Sequence, residues 1–141
     1  ITKVSEIFDK DSRTKKITYY TDGSVDSERN YKNGKEDGIM KQYTFEGTLK
    51  AEKRYVNGKQ VGKQMQHYTS TSGNYIETSN YNEKGQLDGD FSQIIEKNKA
   101  IKSKGKYQAG KKTGKWTYGY QHQLYKEETY DNGKLVETKK L

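Results

Sequence analysis

The chain has 141 residues, the length of one domain, and contains no cysteine, no proline and no apolar run long enough to cross a bilayer as a helix. A disulfide framework, a thiolate metal site and a cysteine nucleophile are thereby excluded. Its 27 basic and 19 acidic side chains leave a net charge of +8, which suits solubility and also attracts lipid head groups, nucleic acid or an acidic protein surface.

Hydrophobic residues make up 28% of the chain against 33% charged, proportions that taken alone predict disorder. The 13 tyrosines and 14 glycines argue the other way, because tyrosine joins a large buriable ring to high strand propensity and glycine marks turns. An all-β chain with many turns is the expectation. The chain begins with Ile1 and not Met, which suggests a trimmed leader or upstream segment.

In chain order, residues 1–14 come first, with Val4, Ile7 and Phe8 suiting either a short helix or a capping strand. Residues 15–141 form a tandem repeat, divided approximately into 15–37, 38–61, 62–88, 89–113 and 114–141. Each repeat opens with a strand ending in Tyr19-Tyr20, Tyr43 to Phe45, His67-Tyr68, Ile94-Ile95 or Tyr118 to Tyr120. A turn follows at Asp22-Gly23, Glu46-Gly47, Ser72-Gly73, Asn98-Lys99 and His122-Gln123. A second strand then runs from Val25, Leu49, Tyr75, Ile101 or Leu124 to Tyr31, Tyr55, Tyr81, Tyr107 or Tyr130. Six residues separate the two ends, so even spacing predicts both on one buried face. Polar residues or glycine two before each tyrosine (Arg29, Lys53, Ser79, Gly105, Glu128) predict that only the strand ends carry buried contacts.

A glycine stands three residues after four of the tyrosines and four after Tyr81, and a second glycine lies four beyond at Gly38, Gly62, Gly89 and Gly114. Only the last repeat breaks this, with Glu137 in that place. Asn-Gly pairs in these segments favour tight hairpin turns. The repeats therefore read as β-hairpins joined into an up-and-down meander of ten or eleven strands. Phe91, Ile94 and Ile95 suit a helix face as well as a strand, and register with the other repeats favours strand.

The run Tyr-x-Asn-Gly-Lys-x-x-Gly, seen at Tyr31 to Gly38 and, with Ala109 in place of the asparagine, at Tyr107 to Gly114, resembles the membrane occupation and recognition nexus (MORN) repeat. It is closest to the bacterial, antitoxin-like variant of that repeat, over about Lys15 to Glu137. The resemblance implies an elongated, twisted, open antiparallel sheet, solenoid-like and often groove-like, whose aromatics and glycines serve packing. An aromatic two residues after the second glycine belongs to the pattern and is present at Phe91 and Trp116. Met40 and Gln64 depart from it, which predicts weaker stacking in the middle of the array.

Catalytic chemistry finds no foothold in the residues. The two histidines, His67 and His122, fall in different repeats in or beside a hairpin turn, with no spaced carboxylates to complete a metal site. The acidic residues are scattered singly or beside lysine, and no base is placed beside a chosen hydroxyl in Thr69-Ser70-Thr71-Ser72, which reads as a long loop. The Gly-Lys-x-x-Gly segments lack the strand, lysine-serine and helix context of a phosphate loop. No enzyme and no cofactor is expected.

Many lysines fall at one kind of turn, among them Lys35, Lys59, Lys111 and Lys112, and in-register stacking would line them along one sheet edge. Such a stripe would meet anionic lipid or acidic protein, or would protect the strand ends from aggregation. The first expectation is a non-catalytic protein-binding or scaffold module, antitoxin- or immunity-like in its narrower form, using exposed aromatics such as Tyr43, Tyr68 and Tyr120. Peripheral binding to anionic membrane through the lysine edge is the alternative; nucleic acid has only net charge in its favour, and no small-molecule substrate is inferred. The composition suits a secreted or surface protein of a bacterium, with cytoplasmic placement as the other option.

Overall fold

A computed structural model describes residues 3–141; Ile1 and Thr2, the start of the expected cap, lie outside the described residues. Every regular element among them is a β-strand. The antiparallel sheet follows chain order and does not close, with two short strands pairing off its path. The fourteen strands exceed the ten or eleven expected because the opening segment is itself a strand and two turns are bordered by two-residue strands. The chain divides into two compact units, one ending at Gln64 and the other starting at Met65.

In the first unit, β1 (Lys3–Asp9) pairs with β2 (Ser12–Tyr19), so the opening segment is a capping strand and not a helix. Val4, Ile7 and Phe8 are exposed on it. Next come β3 (Val25–Lys32), the short β4 (Lys35–Glu36), β5 (Gly38–Tyr43), β6 (Leu49–Val56) and the short β7 (Lys59–Gln60). β8 (Gly62–Tyr68) begins in this unit and ends in the next.

The second unit continues with β9 (Tyr75–Tyr81), β10 (Gly89–Ile95), β11 (Ile101–Gln108), β12 (Lys111–Tyr120), β13 (Gln123–Asp131) and β14 (Lys134–Lys140). The segment holding Phe91, Ile94 and Ile95 is strand β10.

The turns explain the asparagine-glycine pairs. Asn33, Asn57 and Asn132 take φ near +50°, and the glycine after each follows at φ of 77°, 83° and 84°. Two successive left-handed residues are what a two-residue hairpin loop needs, and asparagine and glycine tolerate them best. Ala109 occupies the asparagine position at φ 48°. Successive turns are stapled by backbone bonds: Gly58 N donates to Glu36 O at 2.8 Å in the first unit, and Gly133 N to Lys112 O at 2.9 Å in the second. Aspartate adds a second staple, since Asp37 accepts from Asn57 N at 3.0 Å and Asp88 from Ala109 N at 3.1 Å.

The core does not lie where even spacing puts it. The second strand of a hairpin carries one extra residue: Asp26, Lys50, Lys102 and Tyr125 are each skipped in the pairing. Such a bulge breaks the period-2 alternation, so the apolar residue before it no longer shares a face with the distant tyrosine. Leu124 is exposed, while Val25, Leu49, Tyr75 and Ile101, like the repeat tyrosines, are only half-buried. Buried instead are small residues in mid-strand, Ser27, Ala51, Ser79 and Ser103, and, two residues after a second glycine, Met40, Gln64 and Trp116. Met40 and Gln64, expected to weaken stacking, are therefore core residues. Gln64 satisfies its amide on backbone: Nε2 donates to Val61 O at 2.8 Å, and Oε1 accepts from Arg54 N at 3.1 Å.

Candidate functional site

The second unit carries a groove of about 870 Å³ on one face of β10 to β13. Phe91, Tyr107 and Trp116 form its floor. Their rings meet edge to face at 5.5 Å between Phe91 and Tyr107 and at 5.0 Å between Tyr107 and Trp116, with Phe91 tilted on Trp116 at 5.5 Å. Edge-to-face contact matches the positive ring edge to the negative face of its neighbour.

Trp116 is 1% exposed and is locked by Nε1 donating to Lys106 O at 3.1 Å. It fits because Gly105 lies beneath it: a Cβ there would stand 2.2 Å from Trp116 Cδ2. Glycine within a strand here marks a close approach of ring to backbone.

Around this floor the wall is polar on one side and aromatic on the other. Ser103 Oγ donates to Gln93 Oε1 at 2.9 Å, and Gln93 Nε2 donates to Glu77 Oε2 at 2.8 Å, a relay that fixes the Gln93 amide. Tyr120 and Tyr125 stand at the rim, 64% and 48% exposed. Tyr125 and Lys102 reach the groove because both are bulge residues, at the same position of successive hairpins. A bulge re-aims a side chain, and here it turns two residues into the recess.

The groove's cations are held by rings. Lys112 Nζ donates to Tyr118 Oη at 3.1 Å and lies 4.6 Å from the Trp116 ring centroid and 5.1 Å from that of Tyr130. Lys102 Nζ is 3.8 Å from the Tyr75 centroid. Neither forms a salt bridge among those of the described residues, and no carboxylate lines the groove.

Behind Lys112, burial pushes the Tyr118 phenol well up, and the Glu128 carboxylate pushes it further, so it stays a neutral hydroxyl. Burial alone would raise Glu128, yet hydrogen bonds from Tyr118 and Tyr130 and the charge of Lys126 outweigh it and hold the carboxyl below its usual range. Tyr130 Oη donates to Glu128 Oε1 at 3.0 Å, and Lys126 Nζ is 3.5 Å from Oε2.

The residues singled out in the sequence separate into groups. Tyr120 is an exposed rim residue, whereas Tyr43 and Tyr68 are half-buried and not free surface aromatics. Tyr43 O accepts from Tyr20 Oη at 2.7 Å, and the Tyr68 ring stacks on Tyr75 at 5.2 Å. Lys35, Lys59 and Lys111 are exposed at turns, but Lys112 has left that edge for the aromatic face. The stem of Lys35 packs on Gly58 in the first unit and that of Lys111 on Gly133 in the second, so the turns stack within each unit. His122 is an exposed turn residue, with Nε2 3.3 Å from Asn98 Nδ2. His67 is not, since it lies in β8, half-buried and paired with Glu96. Among the described residues no group of three or more histidine, cysteine, aspartate or glutamate side chains is placed to hold a metal ion, and no helix is long and apolar enough to cross a membrane. Sequence reasoning missed Lys102, Gln93 and Tyr125; their signal is the repeat position combined with the bulge. No protein-family model matches the sequence, and no curated protein matches it.

Proposed function

We propose that this chain is a non-catalytic recognition module of MORN-like repeats that binds a protein partner through the aromatic groove of the second unit, in the manner of an antitoxin or immunity-type protein. The observation that carries the reading is the groove itself, a concave recess with a packed aromatic floor and two tyrosines exposed at its rim. Tyrosine supplies large contact area for two rotatable side-chain bonds, so little entropy is lost when it anchors a partner. Ring packing and the polar relay hold the recess open before anything binds, which lowers the cost of association.

A pull-down from lysate of the source organism, with wild type and the double variant Tyr120→Ser, Tyr125→Ser side by side, tests it. The expected result is one protein retained by wild type at both low and high salt and lost by the variant. Retention that is indifferent to both tyrosines and disappears with salt would refute it.

A second reading, peripheral binding to anionic lipid, draws on the stacked turns that expose Lys35 and Lys59 in the first unit and Lys111 in the second. Each such lysine contributes on the order of 1 kcal/mol near an anionic surface. Lys59→Glu with Lys111→Glu should abolish liposome co-sedimentation if that reading holds, and should leave protein capture unchanged if the first one does.

A further inference from the structure

We propose that the groove of the second unit takes an acidic, apolar-bearing peptide segment, whose carboxylates are received by Lys102 and Lys112 and whose apolar side chains lie against the rings between them. This rests on the recognition reading above and specifies the chemistry of its partner. The groove is lined by two lysines and no carboxylate, so its charge is one-sided above an aromatic floor. Three other lysines of this unit have an acid partner: Lys126, which also lies over the Tyr118 ring, reaches Glu128 at 3.5 Å, Lys115 reaches Glu127 at 3.6 Å and Lys106 reaches Asp90 at 3.8 Å. Lys112 and Lys102 meet rings instead.

An ammonium carries three N–H donors, and Lys112 directs one to Tyr118 Oη, leaving donors for an incoming oxygen. Partial withdrawal from water strengthens whatever charge pair forms there, while aromatic faces stabilise the cation until it does. The volume of about 870 Å³ suits a few side chains. Gln93, with its amide fixed by Ser103 and Glu77, offers an oriented polar contact for a peptide backbone. The bulge that delivers Lys102 recurs at Asp26 and Lys50 in the first unit and at Tyr125 in the second, so the frame supplies the position, while the aromatic floor beside it belongs to the second unit.

Trp116 is the only tryptophan in the chain and belongs to the groove floor, with Lys112 over its ring, so a change in its emission on titration reports a change at the groove. The probe is a short capped peptide alternating glutamate with leucine, compared with one alternating lysine with leucine. The acidic peptide should change Trp116 emission saturably and the basic one should not, and Lys102→Glu should weaken the acidic peptide about tenfold or more. Lys112→Met should do the same; because Lys112 packs on three rings, Lys102→Glu, a bulge residue, carries the test if circular dichroism shows that Lys112→Met disturbs the sheet. Equal titration by both peptides, no response at millimolar peptide, or an affinity indifferent to Lys102→Glu would overturn the inference. So would an emission change produced by phosphatidylglycerol vesicles and not by the peptide, which would assign the groove to lipid. Partner capture that depends on Tyr120 and Tyr125 without any acidic-peptide response would leave the recognition reading standing and remove this one alone.

Discussion

Gln64 in the first unit and Trp116 in the second occupy the same repeat position, two residues after a second glycine, and make the same hydrogen bond. Gln64 Nε2 donates to Arg54 O at 3.3 Å and Trp116 Nε1 to Lys106 O at 3.1 Å, each to the residue before a repeat tyrosine. The residue before that acceptor differs: Lys53 in one case, Gly105 in the other. Met40 and Phe91 hold the same position without a side-chain donor, so the frame allows this hydrogen bond without requiring it, and the residue on the neighbouring strand bears on how large a side chain can make it. Where glycine clears the space, an indole enters, brings Phe91 and Tyr107 with it and leaves a groove. Where lysine stands, an amide closes the position against backbone.

Removing the ring gives the largest effect. Trp116→Ala should cost about 4 kcal/mol, the range for a large buried aromatic, since it takes the hydrogen bond as well as the floor of the groove. Chemical denaturation measures the loss, and amide exchange should show it concentrated in β10 to β13. Exchange rising equally in β2 and β3 would break the idea that each unit has its own core.

Filling the space beneath the ring comes next. Gly105→Ala puts a Cβ 2.2 Å from the indole, a separation that cannot stand, and the indole is pinned by its hydrogen bond and by two further rings. Overpacking of this kind costs about 3 kcal/mol. Because Gly105 does not have a positive φ, the cost is steric, so Gly105→Ala combined with Trp116→Ala should lose less than the two singly added. Strict additivity in that double-mutant cycle would separate glycine from ring and undo the comparison.

These positions differ in how far the sequence discloses them. The tyrosine and glycine periods announce the hairpins, because positive φ restricts which residues a tight turn accepts, and Asn33, Asn57 and Asn132 carry that restriction openly. The bulges carry no such mark. An acid, two lysines and a tyrosine stand at them (Asp26, Lys50, Lys102 and Tyr125), since a bulge is defined by the count of residues across two paired strands and not by a side chain. Missing the bulge misplaces everything that depends on parity: Leu124 is expected inside and is exposed, mid-strand serines are expected outside and are buried, and Lys102 and Tyr125 go unnoticed as groove residues. Lys112 illustrates the other gap. Two lysines side by side at a turn look alike in sequence, yet Lys111 faces solvent and Lys112 crosses to the rings.

A smaller effect tests the other half of the comparison. Gln64→Leu keeps the volume near that of the amide but leaves Arg54 N and Val61 O without the side-chain partners they now have. A loss of about 2 kcal/mol is expected, because stranded buried polar groups keep their desolvation penalty, whereas Met40→Leu, with no hydrogen bond to lose, should cost less than about 1.5 kcal/mol. Equal losses at the two positions would mean that volume alone governs them.

The smallest effect is one of pH and touches only the second unit. Glu128 has its carboxyl held below the ordinary value: burial opposes this, but the Tyr118 and Tyr130 hydroxyls and the Lys126 charge outweigh burial. A group whose folded value is depressed contributes stability that is complete above its unfolded pKa, 4.5, and is lost as pH falls through the folded value. Tyr118 runs the opposite way. Burial first, then the Glu128 carboxylate, raises the phenol, so its contribution is complete below 10.0 and is lost as pH climbs above that. Denaturation midpoints of wild type and Glu128→Gln should therefore differ at pH 7, converge as pH falls below 4.5, and differ again in their alkaline limb, where removal of the carboxylate relieves the pressure on Tyr118. Tyr118→Phe should abolish the alkaline loss assigned to that residue and leave part of the acid one, because Tyr130 still donates to Glu128. Parallel profiles for Glu128→Gln and wild type across the acid range would show that the carboxylate is solvated as freely in the folded chain as in the unfolded one, and the polar backing of Lys112 would lose its anchor.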